Sequence, residues 1–113
     1  MGAVQGSGHG ATVTRHKFHA IPTECDGIKF ASKAEARYYG QLKLRQRAGE
    51  VVFFLRQVPI HLPGEVRYVM DFLVFESSGE VRMVDVKGME TEVFKAKKRM
   101  VEALYPITIE VVK

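Results

Sequence analysis

One stretch of the sequence, MDFLVFESSGEVRMVDVKG at residues 70–88, constrains the fold more than any other. The runs 66–75 and 81–87 are rich in Val, Phe, Leu and Met, and the Ser-Ser-Gly at 77–79 between them is typical of a turn. Two apolar runs joined by so short a polar segment predict an antiparallel β-hairpin. The hairpin therefore fixes two neighbouring strands of a sheet.

The length of the loop also sets the register of this hairpin. A three-residue loop with Gly79 in the left-handed conformation places Glu76 opposite Glu80. Counting back along the same ladder brings Asp71 opposite Asp85. Like charges that face each other directly across two strands are destabilising. This pair of carboxylates therefore needs an explanation.

Two explanations of the paired carboxylates remain open on the residues alone. Period-two alternation turns Lys87 onto the same face as Asp85, so Lys87 can neutralise that carboxylate in an ion pair. That ion pair leaves Asp71 unexplained. A divalent cation explains both, because Mg²⁺ is commonly held by one or two carboxylates together with water and phosphate oxygens. The pattern therefore indicates a metal site.

Composition predicts one compact domain inside the cell. With 113 residues, 46% of them hydrophobic, the chain suits a single domain with an ordinary core. No run of eighteen apolar residues occurs and the start of the sequence has no apolar signal segment, so we expect no membrane association. The single Cys25 agrees with a reducing compartment, and we expect a cytoplasmic location.

Positive charge is concentrated in the first part of the chain. Residues 1–49 hold eight Lys or Arg against three Asp or Glu, in a chain whose net charge is +4. Such a distribution is the footprint of a protein that binds the phosphate backbone of nucleic acid. A second basic run, KAKKR at 95–99, fits either DNA contact or the solvated face of a helix. The candidate DNA-binding residues are Arg15, Lys17, Lys95, Lys98 and Arg99.

The order of elements follows from capping signals and periodicity. Residues 1–20 predict a flexible basic arm, and residues 21–113 predict one domain. Ser32 and Glu35 have the spacing of a capping box at the start of a helix over 32–48. A strand is expected over 51–62, where Pro59 implies either the edge of the sheet or a break in pairing.

The C-terminal part of the chain predicts a helix over 91–104 and a strand over 107–112. The apolar face of this helix is expected to be formed by Val93, Ala96, Met100 and Leu104, with Lys95, Lys98, Arg99 and Glu102 facing outward. A strand-helix-strand unit implies a parallel pair of strands. The whole order is αβββαβ, which predicts an α/β fold with a mixed sheet flanked by helices.

The predicted elements carry, within residues 26–112, the motifs DGIKFASKAEARYY, LRQVPIHL, YVMDFLVF, VDVKG and FKAKKRMVEALYP. The order of elements and these motifs resemble the restriction-endonuclease-like core of the PD-(D/E)XK nuclease superfamily. More narrowly, they are similar to small phage-encoded nucleases related to the phage endonucleases that resolve Holliday junctions. One departure is Met70, which precedes Asp71 where the superfamily's name has proline. Several motifs in order, each on its expected element, are far more specific than a lone D-x-K.

The resemblance implies a role for each candidate site residue. Asp71 and Asp85 would ligate Mg²⁺, for which Mn²⁺ substitutes, and the backbone carbonyl of Val86 would add a ligand. Glu35 would complete the acidic cluster and also ligate the metal. The resemblance further implies that Lys87 positions or deprotonates the attacking water. Gln57 is a supporting catalytic candidate near the site.

The function that the resemblance implies is metal-dependent hydrolysis of phosphodiester bonds in branched DNA such as Holliday junctions. Two symmetric cuts at a junction would imply a homodimer. Two alternatives remain open from the sequence. One is a sequence-dependent nicking or restriction-type endonuclease, and the other is a non-catalytic DNA-binding protein with a nuclease fold.

Overall fold

The structure is a computed structural model and describes residues 23–113. The predicted arm, which includes Arg15 and Lys17, lies outside the described residues. The elements in chain order are β1 (Thr23–Cys25), β2 (Ile28–Phe30), α1 (Lys33–Arg47), β3 (Val51–Leu62), β4 (Val66–Glu76), β5 (Val81–Val86), α2 (Glu92–Leu104) and β6 (Ile109–Val112).

The main sheet has four strands in the order β3-β4-β5-β6. The strands β3, β4 and β5 pair in antiparallel fashion, whereas β5 and β6 are parallel. From α1 onward the order is αβββαβ, as the sequence predicts. The chain is therefore a mixed α/β protein with one mixed sheet and two helices in its described part. No helix within residues 23–113 has the length and apolar character needed to cross a membrane.

A short hairpin before α1 is absent from the sequence-based prediction. Its strands β1 and β2 pair with each other, with Cys25 opposite Ile28. The turn residues Asp26 and Gly27 have φ angles of 53° and 74°. Two consecutive positive φ values are the requirement of a type I′ turn, and Asp-Gly is its preferred sequence. The Asp-Gly pair was therefore the signal for this hairpin.

The predicted β4–β5 hairpin is confirmed with its register. Phe75 pairs with Val81 and Phe72 with Val84. The Glu76 N–H donates to the Glu80 carbonyl at 2.9 Å. Gly79 has φ +98°, which is the left-handed conformation that the loop requires. The local turn chemistry therefore sets the alignment of the two strands.

The strand β3 lies at one edge of the main sheet. Pro59 pairs in register with Val69 of β4, and β3 continues without a break to Leu62. Because proline lacks an N–H, an edge strand is where it fits best. Of the two predictions made from Pro59, the position of β3 at the edge of the sheet is confirmed.

Two hydrophobic cores form, one with each helix. The first contains Phe30, Ala36, Tyr39, Leu42, Val51, Phe72, Val74, Val84 and Val86. The second contains Leu62, Tyr68, Met70, Phe94, Val101 and Ile109. In β4, Leu73 packs against the second core while its neighbours Phe72 and Val74 belong to the first. Since successive strand residues point to opposite faces, the two cores lie on opposite faces of the sheet.

The buried side of α2 differs from the prediction. Phe94 and Val101 are its buried residues, whereas Val93, Met100 and Leu104 are 66%, 37% and 53% exposed. Apolar side chains occur on two neighbouring faces of α2, with Phe94 and Val101 on one and Val93, Met100 and Leu104 on the other. The sheet covers the part that contains Phe94, and the predicted face was therefore wrong.

Candidate functional site

The strand β4 changes face at Asp71. Phe72 and Val74 belong to the first core, but Tyr68 and Met70 belong to the second. All four have even numbers, so regular alternation would place them on one face. Met70, Asp71 and Phe72 are all buried in succession. The strand therefore turns over at Asp71, and this carboxylate lies where the two cores meet.

The neighbouring strand β3 changes face at Gln57. Phe54 packs on the first core, whereas Val58 and Ile60 pack on the second. Gln57 has φ +54°, a conformation that costs a non-glycine residue about 1–3 kcal/mol. It lies between the pairs Arg56–Phe72 and Val58–Met70, which places it opposite Asp71. The strained residue and the carboxylate thus occupy the same step of the sheet.

At Asp71 and Asp85, hydrogen bonds to the two carboxylates replace the backbone hydrogen bonds between β4 and β5. The Asp71 N–H donates to Asp85 Oδ1 at 2.8 Å, and the Val86 N–H donates to Asp71 Oδ2 at 2.9 Å. Asp71 is 9% exposed and Asp85 only 1%. Each carboxylate is thereby held in one orientation by backbone of the other strand. This is the juxtaposition that the hairpin register predicts.

One oxygen of Asp85 has no partner in the described structure. Its Oδ2 is buried and accepts no hydrogen bond from residues 23–113. Burial raises the pKa of Asp85 above the usual value for an aspartate, although the hydrogen bond from the Asp71 amide opposes this. A buried polar atom without a partner is rare and costly. The arrangement therefore suits an added cation at Oδ2.

Glu35 reaches the same region from the first turn of α1. It is 5% exposed, and its carboxylate Oε2 accepts from Gln57 Nε2 at 3.4 Å. The same nitrogen lies 3.4 Å from Asp71 Oδ1. The side-chain amide of Gln57 therefore bridges the two carboxylates through two long hydrogen bonds. Burial, followed by the negative charge of Asp71, raises the pKa of Glu35, and Arg56 opposes this rise.

Only one half of the predicted capping box is present at the start of α1. The Ser32 hydroxyl accepts from the Glu35 N–H at 3.1 Å. The Glu35 side chain instead faces Gln57 and Arg56, whose Nη2 lies 3.8 Å from Oε2. The cap therefore orients the first turn, and the carboxylate remains available to the site.

Lys87 lies on the α2 side of the site. Its Nζ is 5.0 Å from the centre of the Phe94 ring, and its N–H donates to the Val112 carbonyl at 2.9 Å. Within the described part of the chain its ammonium group forms no ion pair. Its positive charge nonetheless opposes the rise that burial causes in the pKa of Glu35 and of Asp85. The ion pair with Asp85, one of the two explanations that the sequence leaves open, does not form among residues 23–113, but the charge is close enough to act on the site.

The donor set suits a hard cation that keeps several water ligands. No group of three or more His, Cys, Asp or Glu side chains between residues 23 and 113 forms a ready-made metal cage. Mg²⁺ requires only one or two carboxylates, since water and phosphate oxygens supply the rest. Asp71 and the unpartnered Oδ2 of Asp85 meet that requirement. Glu35 is linked to Asp71 through the side-chain amide of Gln57.

Arg56 is a site residue that the sequence reasoning missed. Its guanidinium contacts Glu35 and stacks on the Phe30 ring, 4.5 Å from the ring centre. The available signal was a single basic residue inside the apolar run 51–60 of a predicted strand. Such a residue needs either solvent or an anion, and here the anion is Glu35.

Two of the four basic residues of α2 pair with acids of their own helix. Lys95 lies 3.5 Å from Glu92, and Lys98 lies 3.2 Å from Glu102. Arg99 is exposed and, among residues 23–113, makes no ion pair. The Lys95–Glu92 pair is exposed, and pairs of this kind contribute little stability. The structure thus agrees with a solvated face of α2.

Fold and site together define a mixed α/β protein with a buried, paired-carboxylate centre. The chain belongs to the family described as "Protein of unknown function (DUF1064)", whose model matches residues 15–111. Neither a curated protein nor a solved structure matches the chain.

Proposed function

We propose that this protein is a metal-dependent DNA endonuclease with a restriction-endonuclease-like, PD-(D/E)XK-type core. One observation carries the proposal: two buried carboxylates, Asp71 and Asp85, are fixed side by side, and one oxygen of Asp85 has no hydrogen-bond partner among residues 23–113. A purely structural role does not account for that oxygen, because burial without a partner costs stability. A bound Mg²⁺ accounts for it.

The order of elements supports the same proposal. The helix that carries Glu35, the antiparallel strands that carry Asp71 and Asp85, and the helix and parallel strand that follow are in the order that the resemblance implies. The two helices cover opposite faces of the sheet. This agreement is in topology, and it is independent of the hydrogen bonds at the site.

The residues of the chain have distinct tasks in the proposed reaction. When bound, Mg²⁺ or Mn²⁺ would polarise a phosphoryl oxygen and lower the pKa of a water molecule. Asp71 and Asp85 hold that ion, and the carbonyl of Val86 and the Glu35 carboxylate are its further candidate ligands. Lys87 supplies positive charge where negative charge develops and positions the attacking water. Gln57 orients Glu35 and Asp71 relative to each other.

The proposed substrate is branched DNA, such as a Holliday junction, cut by a homodimer. One chain carries one acid centre, and a junction needs two symmetric cuts. The proposed binding surface includes Arg15, Lys17, Lys95, Lys98 and Arg99. Contacts of this kind are to phosphate, so we expect the affinity to fall steeply with salt and to depend little on base sequence.

The test is one cleavage assay on four DNA substrates of matched sequence. Linear, nicked, flapped and four-way-junction duplexes are incubated with the protein in Mg²⁺ and in EDTA. Preferred cutting of the junction in Mg²⁺, with a dimer by light scattering, supports the proposal in full. Equal cutting of all substrates by a monomer favours the nicking or restriction-type alternative. Binding without cutting in either condition favours the non-catalytic alternative.

A further inference from the structure

The guanidinium of Arg56 has far fewer partners than it has donors. Its Nη2 lies 3.8 Å from Glu35 Oε2, a distance beyond a good hydrogen bond. Its Nε is buried and has no hydrogen-bond partner within the described residues. The side chain keeps 23% of its surface exposed. Arg56 is therefore anchored at one end, open to solvent at the other, and short of an acceptor.

The position of Arg56 is held by packing and by the strained residue beside it. Its guanidinium carbon Cζ lies over the Phe30 ring, 4.5 Å from the ring centre. Regular alternation would send the side chains of Arg56 and Gln57 to opposite faces. Because Gln57 has φ +54°, both side chains instead approach Glu35 Oε2. The change of face at Gln57 thus places the guanidinium of Arg56 beside the acid centre.

A cation is needed there for a physical reason. The site contains three buried carboxylates, and a phosphodiester approaching it carries a further negative charge. The planar fork of arginine fits two phosphate oxygens, which makes it better suited to phosphate than to one distant carboxylate oxygen. The charges on Lys95 and Lys98 are already paired on α2. Lys87 lies on the α2 side of the centre, and among residues 23–113 Arg56 is the basic residue that forms an ion pair with one of its carboxylates.

We propose that Arg56 is a substrate-binding residue that donates hydrogen bonds to the phosphate group at the acid centre. This inference rests on the proposed function, since it assigns a phosphodiester as the ligand of that centre. Its two Nη groups donate to the phosphate oxygens, while the Phe30 ring packs against the guanidinium. The contact with Glu35 holds the side chain in place before DNA arrives.

The first experiment compares Arg56→Ala and Arg56→Lys with the wild type in DNA binding. Binding of a four-way junction and of a linear duplex is measured in Ca²⁺ in place of Mg²⁺, over a series of salt concentrations. We expect Arg56→Ala to bind about ten- to a hundredfold more weakly and its salt slope to fall by about one. Arg56→Lys should restore the slope but only part of the affinity, because lysine lacks the fork.

Arg67→Ala is the matched control. Arg67 is an exposed arginine on β4 whose side chain makes no ion pair among residues 23–113. Its variant should bind like the wild type. A loss of affinity as large in Arg67→Ala as in Arg56→Ala would overturn the assignment, because the effect would then be one of net charge.

A second experiment separates phosphate contact from support of Glu35. Arg56→Ala is combined with Glu35→Gln, which removes the charge that Arg56 faces. If Arg56 contacts the phosphate, its loss weakens binding by a similar factor in both backgrounds. If Arg56 acts only through Glu35, its loss has no effect in the Glu35→Gln background, and the proposal fails. Melting temperatures verify that each variant is folded.

The same variants distinguish failure of this inference from failure of the proposed function. A wild type that cuts no DNA in Mg²⁺ overturns the nuclease and, with it, the phosphate ligand. A wild type that cuts DNA, together with an Arg56→Ala variant that binds and cuts equally well, overturns only the role of Arg56.

Discussion

Asp71 and Asp85 hold each other's strands through their carboxylates. Asp85 Oδ1 accepts from the Asp71 N–H at 2.8 Å, while Asp71 Oδ2 accepts from the N–H of Val86, the residue after Asp85. Regular ladder pairing of the two strands stops one step earlier, at Phe72 and Val84. The carboxylates therefore replace backbone pairing at the end of the hairpin, and this replacement brings two negative charges together in a buried place.

Replacement of Asp85 by asparagine tests the acid centre directly. Asp85→Asn keeps an oxygen for the Asp71 N–H but removes the charge beside the unpartnered Oδ2 position. We expect DNA cleavage to fall by at least about a hundredfold, since loss of even a supporting group at a metal site costs 10- to 100-fold. DNA binding in Ca²⁺-free buffer should remain near the wild-type value, because no phosphate-binding cation is changed.

The control for this variant is Asp26→Asn. Asp26 also accepts a side-chain hydrogen bond, from Tyr39 at 2.9 Å, but it lies in the β1–β2 turn. This variant should cleave at about the wild-type rate. An Asp85→Asn protein that cleaves as fast as the wild type would disprove the metal role of the pair.

Added metal should stabilise the folded protein. Millimolar Mg²⁺ relieves the crowding of Asp71 and Asp85, and selective binding to the folded state at a hundred times Kd adds about 2.7 kcal/mol. For a domain of this size, 1 kcal/mol corresponds to about 4–8 °C in Tm. Thermal unfolding in Mg²⁺ and in EDTA measures the shift. In Asp71→Asn the shift should be much smaller, and an equal shift in the variant would place the ion elsewhere.

Glu35→Gln separates a catalytic role of Glu35 from a capping role. The helix cap depends on the Ser32 hydroxyl and the Glu35 N–H, which the substitution leaves unchanged. We therefore expect the free energy of unfolding to change by less than about 1 kcal/mol, while cleavage drops severely. Ser32→Ala gives the opposite control, with lower stability and retained activity. Near-normal cleavage by Glu35→Gln would leave Glu35 with a structural role only.

Acid should destabilise the protein through Glu76. The hydrogen bond from Arg45, followed by that from Arg82, lowers the pKa of Glu76 below the usual glutamate value. The unfolded chain then binds a proton at higher pH than the folded one does. The stability from this pairing is complete above the usual glutamate pKa of about 4.3 and is lost as the pH falls through the lowered folded value.

Denaturant unfolding between neutral pH and pH 3 measures this dependence. Glu76→Gln should be less stable at neutral pH by about 1–3 kcal/mol, because two arginines lose a charged partner, and its stability should vary less with acid. Glu80→Gln is the control, since Glu80 is exposed. If the free energy of unfolding falls equally with acid in the wild type and in Glu76→Gln, Glu76 contributes nothing to the loss of stability at low pH.

The sequence by itself determined the features that depend on local chemistry. The loop at 77–79 fixes the hairpin register, because a left-handed Gly79 permits only one alignment of strands with this loop length. That register suffices to bring Asp71 beside Asp85 before any packing is known. The αβββαβ order likewise follows from periodicity, capping residues and the proline at 106, each of which acts over a few residues.

Other features follow only from the tertiary structure, because apolar residues can be buried on either face of the sheet. Both cores offer a place to bury apolar residues, and the strands switch from one core to the other at Gln57 and Asp71, which no pattern of alternation indicates. The same competition turned Phe94 toward the sheet and left Met100 exposed. A positive φ at Gln57 is unfavourable locally and persists only because packing on both faces requires it. The positive φ at Gln57 places Arg56 beside Glu35. This contact therefore arises from the packing of both cores and not from the local sequence.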